Sequence, residues 1–70
     1  MTLLVKFKTG KLQKYENVDD TELDDDYLYV YMCNGKILRC HSSAVKYYVE
    51  RYESTGQEFC TYPDKGRGYY

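Results

Sequence analysis

Three thiols and one imidazole are the side chains best equipped for chemistry in this chain: Cys33, Cys40, Cys60 and His41. Structural zinc takes four such ligands, usually as two close pairs spaced C-x2-C. Here six residues separate Cys33 from Cys40. If the two lie on one hairpin turned by Asn34-Gly35, Cys40 faces Tyr29 and sits roughly 13 Å from Cys33, too far to share a metal or a disulfide. Cys40 and His41 are chain neighbours, and on an extended strand they point to opposite faces. A nucleophilic cysteine needs a base within hydrogen-bond reach. His41 is the sole histidine, and neither Cys33 nor Cys60 forms a recognisable motif with it. These residues therefore read as small hydrophobes, and neither a cofactor, a metal nor an enzymatic activity is expected. Their odd number fits a reducing, cytoplasmic compartment.

Carboxylates are the second candidate. DDTELDDD carries Asp19, Asp20, Glu22, Asp24, Asp25 and Asp26. A calcium loop of the EF-hand kind wants Gly at its sixth position and Glu at its twelfth. Counted from Asp19, those positions hold Asp24 and Val30, so the pattern fails. Packed this densely, like charges repel, which predicts a solvated loop with Leu23 as its apolar anchor. The same loop could act as an acidic knob that competes with phosphates for a basic channel on a partner. Cations are spread over Lys6, Lys8, Lys11, Lys14, Lys36, Arg39, Lys46, Arg51, Lys65 and Arg67. A formal net charge of −1 argues against a protein built to coat nucleic acid.

Aromatic content is the third signal: ten Tyr, two Phe and no Trp in 70 residues. A chain this short buries only about 60% of the surface its unfolded form exposes. Ten rings with hydroxyls cannot all lie inside so small a core, so several must lie at the surface. Tyr27, Tyr29 and Tyr31 alternate along YLYVYM and would form one row on a strand face. Either Leu38, Cys40 and the C-terminal segment cover that row, or it is a contact surface of rigid rings. Exposed tyrosines can also stack on bases.

The elements that must hold these groups are mostly strands. Leu3, Val5 and Phe7 alternate with Leu4, Lys6 and Lys8, and Thr9-Gly10 supplies a turn. The return strand runs from Lys11 to Val18; a two-residue turn there pairs Phe7 with Leu12, and one extra residue shifts every face. Leu28, Val30 and Met32 oppose the tyrosines on the next strand. Asn34-Gly35 predicts a two-residue turn that sets Met32 against Ile37, Tyr31 against Leu38 and Tyr29 against Cys40. Two partly apolar faces suggest that this strand is central in a sheet that curls on itself, or has one face covered by a partner. Residues 43–53 fit a helical stripe (Ala44, Val45, Tyr48, Val49, Tyr52) and equally an alternating strand (Val45, Tyr47, Val49). EFCTY makes a last short strand, ended by Pro63. The expectation is one mainly β domain over residues 1–62, a small twisted sheet or open barrel of about five strands. Residues 63–70 read as a flexible tail. No apolar run approaches the ~20 residues that span a bilayer, and MTLLVKF is too short and too soon interrupted by Lys6 for a signal peptide. A cytoplasmic protein without a membrane partner is expected.

Taken in order, VKFKTG, YENV, the acidic loop, DDYLYVY, the N-G-K turn and SSAVKYY resemble the small β-roll or SH3-like barrel proteins of phages and mobile elements of Gram-positive bacteria. The resemblance covers about residues 3 to 49. It implies a closing strand at SSAVKYY. It also implies a non-enzymatic protein that binds and blocks a host protein, such as a defence nuclease complex, in the manner of an anti-CRISPR inhibitor. Asp19, Asp20, Glu22, Asp24, Asp25, Asp26, Tyr27, Tyr29 and Tyr31 would then carry the contact. The alternative is a nucleic-acid-binding barrel that uses surface tyrosines and the lysines of the first hairpin.

Overall fold

Alternation of apolar and polar residues organises most of the described residues into strands. A computed structural model describes residues 1–63. The strands are β1 (Thr2–Phe7), β2 (Leu12–Tyr15), β3 (Val18–Leu23), β4 (Tyr27–Met32), β5 (Ile37–His41), β6 (Val45–Tyr52) and β7 (Gln57–Thr61), with one 3-10 turn at Ser42–Ala44. They form two antiparallel sheets, β2-β1-β6-β7 and β3-β4-β5. The fold is mainly β, as expected, and takes the form of open sheets. Residues 43–53 resolve as β6 after the 3-10 turn, so the helical alternative does not hold. Val45 and Tyr48 are buried on this strand, and Val49 backs onto the other side. No helix among the described residues is long and apolar enough to cross a membrane. The tail reading falls on residues 64–70, which lie outside those described.

The core is the space between the sheets. Leu3, Val5, Val45 and Tyr48 from one sheet meet Val18, Leu28 and Val30 from the other. Each such aliphatic side chain contributes about 1.5–3 kcal/mol when removed from water. Leu23 packs partly against this cluster, in the anchoring role expected of it.

Both hairpins take one more turn residue than a two-residue turn has, which settles the open register of the first and corrects that of the second. The first turn spans three residues, Lys8 to Gly10: Phe7 N–H donates to Lys11 O (2.8 Å) and Gly10 N–H to Phe7 O (2.9 Å). The second repeats it over Cys33 to Gly35, with Met32 N–H donating to Lys36 O (2.8 Å) and Gly35 N–H to Met32 O (3.0 Å). A two-residue type I′ turn would need positive φ at both Asn34 and Gly35. Only the glycines take it, at +99° for Gly10 and +91° for Gly35. A type I turn closed by one left-handed glycine is the three-residue solution, and it shifts every facing pair. Lys6 therefore faces Leu12 in the first hairpin. In the second, Tyr31 faces Ile37, Val30 faces Leu38, Tyr29 faces Arg39, Leu28 faces Cys40 and Tyr27 faces His41.

The acidic segment also differs. It was expected to hold no regular element, yet Asp19, Asp20 and Glu22 lie in β3 and only Asp24 to Asp26 form a turn. Charge does not forbid a strand when the strand is an edge and its carboxylates face water, and such charges guard the edge against further pairing. The return strand expected from Lys11 to Val18 is broken at Asn17, whose φ of +59° is one that Asn tolerates better than most residues. There the chain leaves one sheet for the other. Met1 and Val18 exchange two backbone hydrogen bonds (2.7 and 2.9 Å), which tie the sheets together at that corner.

Candidate functional site

Strand β4 is central in its sheet, so its outward residues have neighbours on both sides. Tyr27, Tyr29 and Tyr31 form the middle column of that outward face. On the β3 side, Glu22 lies opposite Tyr29 and Asp20 opposite Tyr31. On the β5 side stand His41, Arg39 and Ile37, in register with Tyr27, Tyr29 and Tyr31. The one-residue shift is what puts them there. It sends Leu38 and Cys40 to the inner side opposite Val30 and Leu28, so neither covers the tyrosines.

The rings touch in sequence. Tyr27 and Tyr29 have centroids 5.9 Å apart, and Tyr29 and Tyr31 are 6.5 Å apart in a stacked arrangement. Arg39 places its guanidinium carbon 4.6 Å from the Tyr27 centroid, and the His41 ring lies 5.0 Å from it. Cation–π pairs at such exposed positions contribute about 0.5–1 kcal/mol. At the other end of the row, the Tyr31 hydroxyl donates to Glu22 Oε1 at 2.7 Å. That hydrogen bond to a charged carboxylate holds the Tyr31 pKa above its ordinary 10.0. The tyrosines are half-buried against one another, the six acids are exposed, and Ile37 is 61% exposed. The face thus runs from carboxylates through aromatic rings to a cationic, apolar edge.

The turn at the end of this face is built rather than loose. Asp24 Oδ1 accepts from the backbone N–H of Asp26 (2.8 Å) and Tyr27 (2.7 Å). Buried Ser42 donates its hydroxyl to Asp25 O and its N–H to Asp26 O, each at 2.9 Å. A shallow pocket of about 460 Å³ opens beside it, lined by Asp25, Asp26, Tyr27, His41, Ser42 and Ser43.

Of the nine residues singled out from the sequence, Asp20, Glu22, Tyr27, Tyr29 and Tyr31 come together on this face. Asp19 is the extra residue of a β-bulge between Val18 and Asp20. Asp24 secures the turn, and Asp25 and Asp26 flank the pocket. Arg39, His41 and Ile37 were missed. The signal that could have found them is the glycine closing a three-residue turn, which brings residues 37, 39 and 41 level with 31, 29 and 27. The three thiols are free: Cys33 and Cys60 are exposed, while Cys40 is half-buried and its pKa is raised by that burial. A raised thiol pKa lowers the thiolate fraction and suits a packing role. Among the described residues no group of three or more His, Cys, Asp or Glu side chains is placed to hold a metal ion.

Comparison with known protein families, curated proteins and solved structures gives no match.

Proposed function

We propose that the chain is a non-enzymatic interaction protein that binds a partner protein through the outward face of β3-β4-β5. The observation that carries this reading is the row Tyr27, Tyr29 and Tyr31 set beside Asp20 and Glu22 on one sheet face. Tyrosine gives large contact area for the loss of only two side-chain rotations, and it keeps a hydroxyl for hydrogen bonding. Carboxylates in a fixed column speed encounter with a basic surface and disfavour acidic ones. The partner this chemistry fits presents Lys and Arg around an apolar patch, as the nucleic-acid channel of a host defence enzyme does. Occupying that channel would block it by sterics and charge. The SH3-like, phage-encoded and anti-CRISPR-type parts of the reading rest on the sequence resemblance alone.

The test is capture of a partner on immobilised protein, compared between the natural chain and the Glu22→Lys/Tyr29→Ser variant. Both substituted side chains face outward, so the variant keeps its fold by circular dichroism. It is expected to lose at least tenfold in retained partner, the equivalent of about 1.4 kcal/mol. Equal retention by the folded variant would remove this face from the account.

A further inference from the structure

The other sheet has an outward face too, and its charge is opposite. Leu12 and Lys6 lie in register with Tyr47, and Lys14 and Leu4 in register with Val49 and Cys60. Tyr62 extends the row beyond Tyr47, with ring centroids 5.4 Å apart. Leu12 is 56% and Tyr62 44% exposed. Among the described residues Lys6 and Lys14 form no salt bridge, whereas Arg51 in the next row is already held by Glu58 at 2.7 Å. This surface is an apolar and aromatic sheet face with two available ammonium groups on a diagonal from β2 to β1, beside the parallel Leu4–Tyr47 diagonal. Like the β3-β4-β5 face it sets two like charges beside apolar and aromatic side chains, with the sign of charge reversed.

The spacings agree as well. Lys6 and Lys14 are diagonal neighbours on paired strands, which sets them roughly 7–8 Å apart. Asp20 and Glu22 are alternate residues of one strand, about 7 Å apart. The geometry points to a second copy of this chain as an occupant of the β2-β1-β6-β7 face. In that contact, the Tyr27-Tyr29-Tyr31 row of one copy lies along the Leu4–Tyr47 diagonal of the next, and Asp20 and Glu22 meet Lys14 and Lys6 on the parallel diagonal beside it. The inference rests on the β3-β4-β5 face being a contact surface. The two faces are the outer sides of two packed sheets, so the contact is head-to-tail and does not close on itself at two copies. Association therefore continues with concentration. It also weakens with salt, because the screening length falls from about 10 Å at 0.1 M to about 3 Å at 1 M.

Sedimentation equilibrium across concentration and salt tests this, on the full chain and two charge-reversed variants, Lys6→Glu/Lys14→Glu and Asp20→Lys/Glu22→Lys. The natural chain is expected to exceed twice the mass of one chain at high concentration in low salt, and to return to a single chain in high salt. Each variant alone stays single, and mixing the two restores association, because every acidic face then finds a basic one. Three results would each overturn the inference: a natural chain that stays single throughout, association that both variants retain, or variants that fail to associate when mixed. Titration with a single-stranded oligonucleotide is the companion measurement. Binding that requires Lys6 and Lys14, with no self-association, would assign this face to nucleic acid. If self-association fails while partner capture through Glu22 and Tyr29 persists, only the inference falls. If capture fails while charge-swapped copies still assemble, the partner reading falls instead.

Discussion

The outward face of β3-β4-β5 and the outward face of β2-β1-β6-β7 start from the same material. Each sets an apolar or aromatic stripe beside two like charges, but one pair, Asp20 and Glu22, lines an edge strand and the other, Lys6 and Lys14, crosses from β1 to β2. Neither stripe is needed to close the core, which Leu3, Val5, Val18, Leu28, Val30, Val45 and Tyr48 already fill. The three outer tyrosines add strand propensity and ring pairing, each worth no more than about 1 kcal/mol, rather than core volume. The difference teaches that inner alternation specifies the fold, while the outer residues differ mainly in the sign of their charge, which under the proposed function sets the partner each face suits.

The sharpest way to break that division is to cross it on a single strand. Leu28→Ala on the inner side of β4 leaves a cavity and should cost about 2–5 kcal/mol. A domain this small has a total margin of only ~5 kcal/mol, so the urea midpoint should collapse or the chain fail to fold. Tyr29→Ser on the outer side of the same strand should cost no more than about 1 kcal/mol by the same measurement. If the two substitutions proved equally costly, the tyrosine row would be structural.

Next in size are the two turns that align the faces. Gly35→Ala and Gly10→Ala each force a Cβ into the left-handed region, where nothing nearby obstructs it but the backbone itself is strained. Each should cost about 1–2 kcal/mol in denaturant unfolding, with the two nearly equal because the turns are alike. A much smaller cost at one of them would mean that its hairpin reverts to another register.

Alkaline pH separates the inside from the outside more gently. Burial raises the Cys40 thiol above its ordinary 9.0 and the hydroxyls of Tyr15 and Tyr48 above their ordinary 10.0. A pKa raised by folding means that the unfolded chain releases its proton first. The contribution to stability is therefore full below pH 9 and declines as pH rises through 9 and then 10. Cys40→Ala should flatten the first part of that decline in a series of unfolding curves. The smallest effect belongs to Tyr31. Its titration, followed by ultraviolet absorbance, should move back toward 10.0 in Glu22→Gln, because the carboxylate that raises it has lost its charge. An unmoved titration would mean that the hydrogen bond does not persist in solution.

Much of the fold was legible because the period-two pattern at Leu3, Val5, Leu28 and Val30 has one physical solution, an inner face. The ambiguous stretch 43–53 was not, since Val45, Tyr48 and Tyr52 fit a helical stripe while Val45, Tyr47 and Val49 fit an alternating strand. Pairing with β1 and β7 decided it. The acidic run misled because its charge was weighed without its position at a sheet edge. The turn residues misled because Asn-Gly favours two-residue turns, although Gly35 alone satisfies a three-residue one. That slip hid Arg39, His41 and Ile37, which belong to the candidate site only in the observed register. Ser42 owes its role to contact with the distant Asp25–Asp26 turn, which no local pattern encodes, whereas Asp24 makes a local turn with Asp26 and Tyr27 that the charge of the run obscured.

The most direct test of the central claim is an amide shift map of isotope-labelled protein on addition of the captured partner. The account predicts that shifts concentrate at Asp20, Glu22, Tyr27, Tyr29, Tyr31, Ile37 and Arg39 and spare the outward residues Leu4, Lys6 and Val49. Shifts confined to the β1 and β6 face, or an unperturbed tyrosine row in a saturated complex, would contradict it.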